Sequence, residues 1–196
     1  MRWLLALALS SSFFAAPALA ETQSAIFAGG CFWSVEKDFD PVPGVVATTS
    51  GYIGGENENP TYRNHGSHRE AVKVDYDPAK TSYAKLLDVF WHSIDPTDPS
   101  GQFCDQGHSY TTAVYAVGDA DLKAAHTSKL DAQKELGQDV VTEVLPAPQF
   151  WPAEEYHQDF YKKNPDHYDR YRAGCRRDAR VAQVWGESAH RGIPTH

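Results

Sequence analysis

Methionine is nearly missing from this chain: of its 196 residues the one methionine is Met1, where average usage would give a few. Each methionine is itself a target of oxidation, so the absence suits a protein working where methionine is being oxidised. Cysteine is scarce too. Cys31, Cys104 and Cys175 are too few for a disulfide-framework domain and an odd number for a purely structural set. No Cys-x-x-Cys pair is present, so His65-x-x-His68 and the Glu154/His157 pair stay below what a metal site needs, and no metal or other cofactor is expected. A glycine-rich phosphate loop is also lacking, which argues against a nucleotide-binding fold. With a formal charge of −8 and no basic stripe, nucleic acid is excluded as an expected partner. The one gathering of arginines, Arg172, Arg176, Arg177 and Arg180, is interleaved with Asp178 and reads as a solvated helix face.

The start of the chain sets an expected compartment. Arg2 precedes an unbroken apolar run from Trp3 to Leu9, Ser10 to Ser12 interrupt it, and Ala18-Leu19-Ala20 forms a small-x-small cleavage signature. The run is too short for a retained membrane span, and no cysteine follows the cut to carry a lipid. The reading is a signal peptide over residues 1–20 and a soluble catalytic domain over residues 21–196, delivered across the inner membrane to the periplasm. Losing Arg2 takes the charge from −8 to −9. The mature length fits one domain, expected as a monomer, with a C-terminal extension carrying Cys175.

Along the chain, Ser24 to Ala28 reads as a strand, Gly29-Gly30 breaks it, and Cys31 to Phe39 carries helical spacing until Pro41. Val45 to Tyr52 is a second strand, Gly54 to His68 a polar loop, and Val72, Val74 and Tyr76 alternate as in a half-buried strand. A helix beginning near Thr81 or Ser82 carries Leu86, Leu87, Phe90, Trp91 and Ile94 on one face. After a loop from Asp95 to Ser109 come a strand at Ala113 to Val117, a helix from Asp119 to Gly137, and a strand at Thr142 to Leu145. A helix from Ala153 to Asn164, stopped by Pro165, follows. The expected fold is α+β, a two-layer sandwich with a mixed sheet.

Cys31 follows two glycines and opens a helix, where unpaired amides and the positive helix end favour thiolate and the glycines leave room for a substrate. By itself that pattern also fits an inert core thiol. The sequence around it goes further. Gly30-Cys31-Phe32-Trp33 with Glu36 resembles the signature of the A-type peptide methionine sulfoxide reductases. Gly51-Tyr52 with Gly54-Gly55, Asn59-Pro60-Thr61-Tyr62, His68-Arg69-Glu70, Asp105-Gln106-Gly107 with Ser109-Tyr110, and Glu154 to Gln158 resemble the family's further segments in the same order.

That resemblance implies a ferredoxin-like core and reduction of methionine S-sulfoxide, free or in proteins, through a sulfenic acid on Cys31. Phe32 and Trp33 would seat the methyl group, Glu70 would donate a proton, Tyr62 and Tyr110 would bind the sulfoxide oxygen, and Asp105 would orient substrate or water. Cys175, in the region where relatives carry a resolving cysteine, is the expected resolving thiol, pairing with Cys31. Cys104 is a second candidate, as relay, alternative resolver or bystander, and a structural Cys104–Cys175 bridge is the bland alternative. A thioredoxin-like dithiol is the implied electron donor. Two other readings compete: a secreted thiol peroxidase, which needs no methyl pocket, and a non-catalytic secreted binding module stapled by Cys104–Cys175.

Overall fold

A computed structural model describes residues 21–194. The proposed signal peptide lies outside these residues. Eight strands and six helices are found among them: β1 (Gln23–Ala28), α1 (Phe32–Phe39), β2 (Val45–Ile53), β3 (Arg69–Tyr76), α2 (Tyr83–Trp91), β4 (Gly101–Gln102), β5 (Asp105–Gln106), β6 (Ala113–Ala116), α3 (Asp119–Leu136), β7 (Glu143–Pro146), β8 (Phe150–Pro152), α4 (Phe160–Lys163), α5 (Pro165–Gly174) and α6 (Arg177–Trp185).

The main sheet has the order β7-β6-β1-β3-β2-β8. Only the β6–β7 pair is parallel, so the sheet is mixed. Within it β1-α1-β2-β3-α2-β6 takes the spatial order β6-β1-β3-β2, the ferredoxin-like arrangement expected from the family resemblance.

Strand alternation divides the core. Ala25, Phe27, Tyr52, Val72, Val74 and Tyr76 belong to the cluster that includes Phe32, Val35 and Phe39 of α1 and Leu86, Leu87 and Phe90 of α2. Ile26, Ala28, Ile53, Ala71 and Tyr115 form a second, smaller cluster with Leu145 and Phe150 against it. Phe27 stacks on both Phe39 and Phe90 at 5.0 Å, which ties β1 to the two helices. Aromatic pairs of this kind add about 0.5–1.5 kcal/mol each beyond burial.

Local signals account for several boundaries. Ser82 caps α2, accepting from the Lys85 N–H at 3.3 Å. Gly137 ends α3 with a left-handed φ of 65°.

The C-terminal third departs from expectation in two ways. Pro165 follows the end of α4, whose C-cap is Asn164, and also opens α5, because a proline in the first turn gives up no hydrogen bond. The stretch from Ala153 to Asn164 is mostly turn, with only the short α4 helical. The arginine cluster is only half a solvated face: Arg176 and Arg180 are exposed, as the sequence indicated. Arg172 and Arg177 are buried and meet the buried Asp38 of α1 at 2.9 and 3.6 Å. Arg172 also binds Asp178, and Arg177 donates to the carbonyls of Gly29 and Ser93. A buried carboxylate needs such partners, and this set anchors α5 and α6 to the last turn of α1.

Candidate active site

Three elements converge on Cys31. The residue is the N-cap of α1, and its carbonyl accepts from the N–H groups of Ser34 and Val35. The helix-end placement is as the sequence indicated, but the thiol is only 7% exposed. Burial, reinforced by the nearby carboxyl of Glu70, pushes its pKa well above the ordinary cysteine value, with a phenolic contact from Tyr171 pulling the other way. The resting group is therefore a neutral thiol rather than the thiolate that a bare helix end would favour. Gly30 has a left-handed φ of 84°, and a Cβ there would lie 2.6 Å from Gln102 Cβ. The room left by this glycine is filled by the β4–β5 hairpin, not by open space for a substrate.

β3 begins at Arg69, three residues before the alternation was legible. Glu70 therefore lies within the strand, on the face of Val72 and Val74, and points under α1. Its Oε2 accepts the Phe32 N–H at 3.0 Å. The carboxyl is buried, and desolvation lifts its pKa to about 8 against the lowering effect of the Phe32 N–H. Tyr110, at the end of the 3-10 turn His108–Tyr110, lies close enough to this carboxyl to lower its pKa. Tyr62 comes from the loop between β2 and β3 and contacts Tyr110; burial and Glu70 raise the pKa of its hydroxyl. The two phenols and the carboxyl thus gather beside Cys31.

The aromatic wall combines two residues of α1. Phe32 is wholly buried, with its ring 5.8 Å from Tyr52 and 4.9 Å from His157. Trp33 is half-buried, stacked on Phe160 at 3.7 Å, and its indole N–H donates to His157 Nδ1 at 3.1 Å. His157 is itself buried, and desolvation lowers its pKa, which keeps it neutral and able to accept. Glu154 holds the other side: its carboxylate accepts from the Tyr52 hydroxyl at 2.9 Å and the Tyr62 N–H at 3.0 Å. Glu154 and His157 are thus hydrogen-bonding supports for the aromatic residues.

The third element is the hairpin β4–β5. Asp105 lies on it and accepts a hydrogen bond from the Tyr171 hydroxyl of α5. Its neighbour Cys104 is joined to Cys175, the C-cap of α5, in a disulfide with Cα atoms 4.9 Å apart. Cys31 is free. The pairing present is thus Cys104–Cys175 and not the expected Cys31–Cys175. The bridge nevertheless borders the site, because it ends beside Asp105 and one turn from Tyr171.

Sequence reasoning missed Tyr171, which follows no motif of its own, and left Tyr52 without a role although it sits in the Gly-Tyr segment. Tyr52 pairs with Glu70 across β2 and β3, a register visible only once the sheet is assembled.

A buried thiol beside a proton-bearing carboxyl, with a second pair of thiols already oxidised at the border of the site, is the equipment of a thiol-dependent oxidoreductase. Its family is equally definite: the chain belongs to the peptide methionine sulfoxide reductases, whose profile it matches over residues 23–189. Among its relatives is "Peptide methionine sulfoxide reductase MsrA 2" of Rhizobium meliloti, 53% identical over 176 residues, covering 89% of each chain. Of solved structures, reduced Mxr1 from Saccharomyces cerevisiae superposes with a TM-score of 0.70 at 30% identity, covering 74% of this chain and 87% of that one. Mxr1 in complex with Trx2 matches with a TM-score of 0.53 at 25% identity, over 76% and 90% of the two chains.

Proposed function

We propose that this protein reduces methionine S-sulfoxide, free or within proteins, to methionine, with Cys31 as nucleophile and Glu70 as proton donor. The observation that carries the reading is the placement of the protonated Glu70 carboxyl at the start of α1, bonded to the N–H that directly follows Cys31. A sulfoxide sulfur attacked by Cys31 has its oxygen directed at Glu70, Tyr62 and Tyr110, and its methyl at Phe32 and Trp33. The Cys31 sulfur bonds to the sulfoxide sulfur while the sulfoxide oxygen takes a proton from Glu70, which is reprotonated by the proton that Cys31 loses. The hydroxyl then passes to the Cys31 sulfur as the bond between the two sulfurs breaks, so methionine leaves reduced by two electrons and Cys31 is left as a sulfenic acid.

Regeneration follows as a relay. One of Cys104 and Cys175 attacks the sulfenic acid, expelling water and forming a disulfide with Cys31. The other attacks that disulfide, releasing Cys31 as a thiol and leaving Cys104–Cys175. The pairing of free Cys31 with a Cys104–Cys175 bridge supports this order, since it matches the relay's end state. A dithiol donor then reduces the bridge. A groove of about 510 Å³ beside it, lined by Asp98, Phe103, Arg176 and Arg180 among others, suits a thioredoxin-like partner, the class of partner in the Mxr1–Trx2 complex. We further propose that the protein is exported through the signal at residues 1–20 and works in the periplasm as a monomer.

The test of function is product analysis on separated epimers with dithiothreitol as reductant. The S epimer of methionine sulfoxide yields methionine and the R epimer almost none; equal rates on both, or turnover of hydrogen peroxide in place of sulfoxide, would contradict the reading.

The raised pKa of Glu70 gives a second prediction. Its carboxyl stays protonated up to about 8 in the folded protein but ionises near 4.5 in the unfolded chain, so the stability it contributes is lost as pH rises between those values, and above about 8 the proton donor is gone. The single-turnover rate rises with pH while Cys31 is being deprotonated. It then levels off above about 8, where added thiolate is cancelled by loss of the Glu70 proton. Glu70→Gln slows the step by about 10²–10⁴-fold, leaves Cys31 alkylatable, and removes the bend in the profile. A bend that survives the substitution assigns it to another group.

A further inference from the structure

Tyr171 stands where a substrate must stand. Its ring meets Trp33 edge-on, with centroids 5.9 Å apart and planes at 84°. Its hydroxyl donates to Asp105, and the phenol lies close enough to Cys31 that each influences the ionisation of the other. One side chain thus touches the nucleophile, the indole that would seat the methyl group, and the carboxylate that would orient the substrate. A methionine sulfoxide bound for attack makes those same contacts, and the two occupants exclude each other.

A covalent tie lies alongside. Cys104 is the residue before Asp105 on the hairpin, and the Cys175 N–H donates to the Tyr171 carbonyl at 2.9 Å, one helical turn along α5. The disulfide and the Tyr171–Asp105 hydrogen bond therefore run in parallel between the same two elements. A bond that holds two groups together raises the effective concentration of each for the other, so the bridge strengthens the pairing beside it. α5 is fixed independently through Arg172 to Asp38 at 2.9 Å. Phe103, on that hairpin, holds a left-handed φ of 58°, a conformation costly for a residue with its side chain.

We propose that Tyr171 is an internal occupant of the sulfoxide seat, latched there by the Cys104–Cys175 disulfide, and that reduction of the disulfide opens Cys31 to substrate. The reducing dithiol supplies two electrons and two protons to the two sulfurs and departs as a disulfide. The identity of the displaced substrate rests on the function proposed above; the occlusion of Cys31 does not. The device has a clear use. While Cys104 and Cys175 are oxidised, no thiol is available to resolve a new sulfenic acid, and an open Cys31 would be exposed to further, irreversible oxidation. Closing the site until the bridge is reduced keeps the steps in order.

The test measures the rate at which iodoacetamide alkylates Cys31, read on the Cys31 peptide by mass spectrometry, in the oxidised and fully reduced protein. Reduction, Tyr171→Ala, or the double change Cys104→Ser with Cys175→Ser each accelerates the reaction about tenfold or more over the oxidised wild type. In Tyr171→Ala the oxidised and reduced forms react alike. Tyr171→Phe keeps the ring, loses the bond to Asp105, and falls between; it also serves if the alanine variant does not fold. Oxidised wild type reacting as fast as reduced wild type would overturn the proposal, as would a double serine variant as slow as the oxidised wild type. Dithiothreitol-driven sulfoxide reduction is assayed separately: Cys31 gated as described in a chain that reduces no sulfoxide upholds the latch and defeats the functional reading. Sulfoxide reduction with an ungated Cys31 defeats the latch alone.

Discussion

Cys31→Ser yields no methionine from methionine sulfoxide, a loss of at least about 10⁴-fold, because a hydroxyl cannot attack sulfoxide sulfur or store the oxygen as a sulfenic acid. The structure makes this variant a clean one. Cys31 occupies the N-cap of α1 without a side-chain cap bond, and serine is a preferred N-cap residue. The fold is therefore retained, and thermal unfolding is expected to be unchanged or raised. A Cys31→Ser protein with residual sulfoxide turnover would move the nucleophile elsewhere.

The second large effect falls on recycling. In Cys175→Ser the fully reduced protein still releases about one equivalent of methionine in a single turnover, then stalls with a thioredoxin-type donor, its steady-state rate down by about 10²-fold or more. Cys104→Ser stalls in the same way, because the bridge that ends the cycle requires both sulfurs. Each variant is left with Cys31 bound to the remaining thiol. If Cys104→Ser keeps most of its turnover with a protein dithiol, the relay gives way to a single resolving thiol at Cys175. Measuring methionine released in the first turnover apart from later ones separates both outcomes from a general loss of activity.

The parts of this molecule that were legible in its sequence are those set by local signals. Gly29-Gly30 ends β1, the spacing of Phe32, Val35, Glu36 and Phe39 forms α1, and Cys31 falls between them at the helix end. Ser82 and Gly137 mark helix boundaries through the backbone groups they satisfy. Motif order brought Glu70, Tyr62, Tyr110 and Asp105 to the site before any geometry was available.

What escaped was set by distant partners. Arg172 and Arg177 look like surface charges until Asp38, on a helix far away in sequence, is found buried between them. Pro165 signals a stop or a start with equal ease, and only the chain beyond it decides. The state of Cys31 is the plainest case. A helix end alone argues for thiolate, but Glu70, Asp105 and the loss of water around the sulfur act the other way, and burial is the larger effect. Tyr171 carries no sequence signal that sets it apart from the chain's other tyrosines; its role arises from one turn of α5 that also places Cys175.

The central claim, that Cys31 takes oxygen from methionine S-sulfoxide and passes its oxidation to the Cys104–Cys175 pair, is tested most directly by one turnover without reductant. Fully reduced protein is mixed with the S epimer, methionine is quantified, and the disulfides are mapped by mass spectrometry. The account predicts about one methionine per chain, a Cys104–Cys175 linkage, and Cys31 recovered as a free thiol. No methionine, or methionine formed while Cys104 and Cys175 both remain reduced, would contradict it.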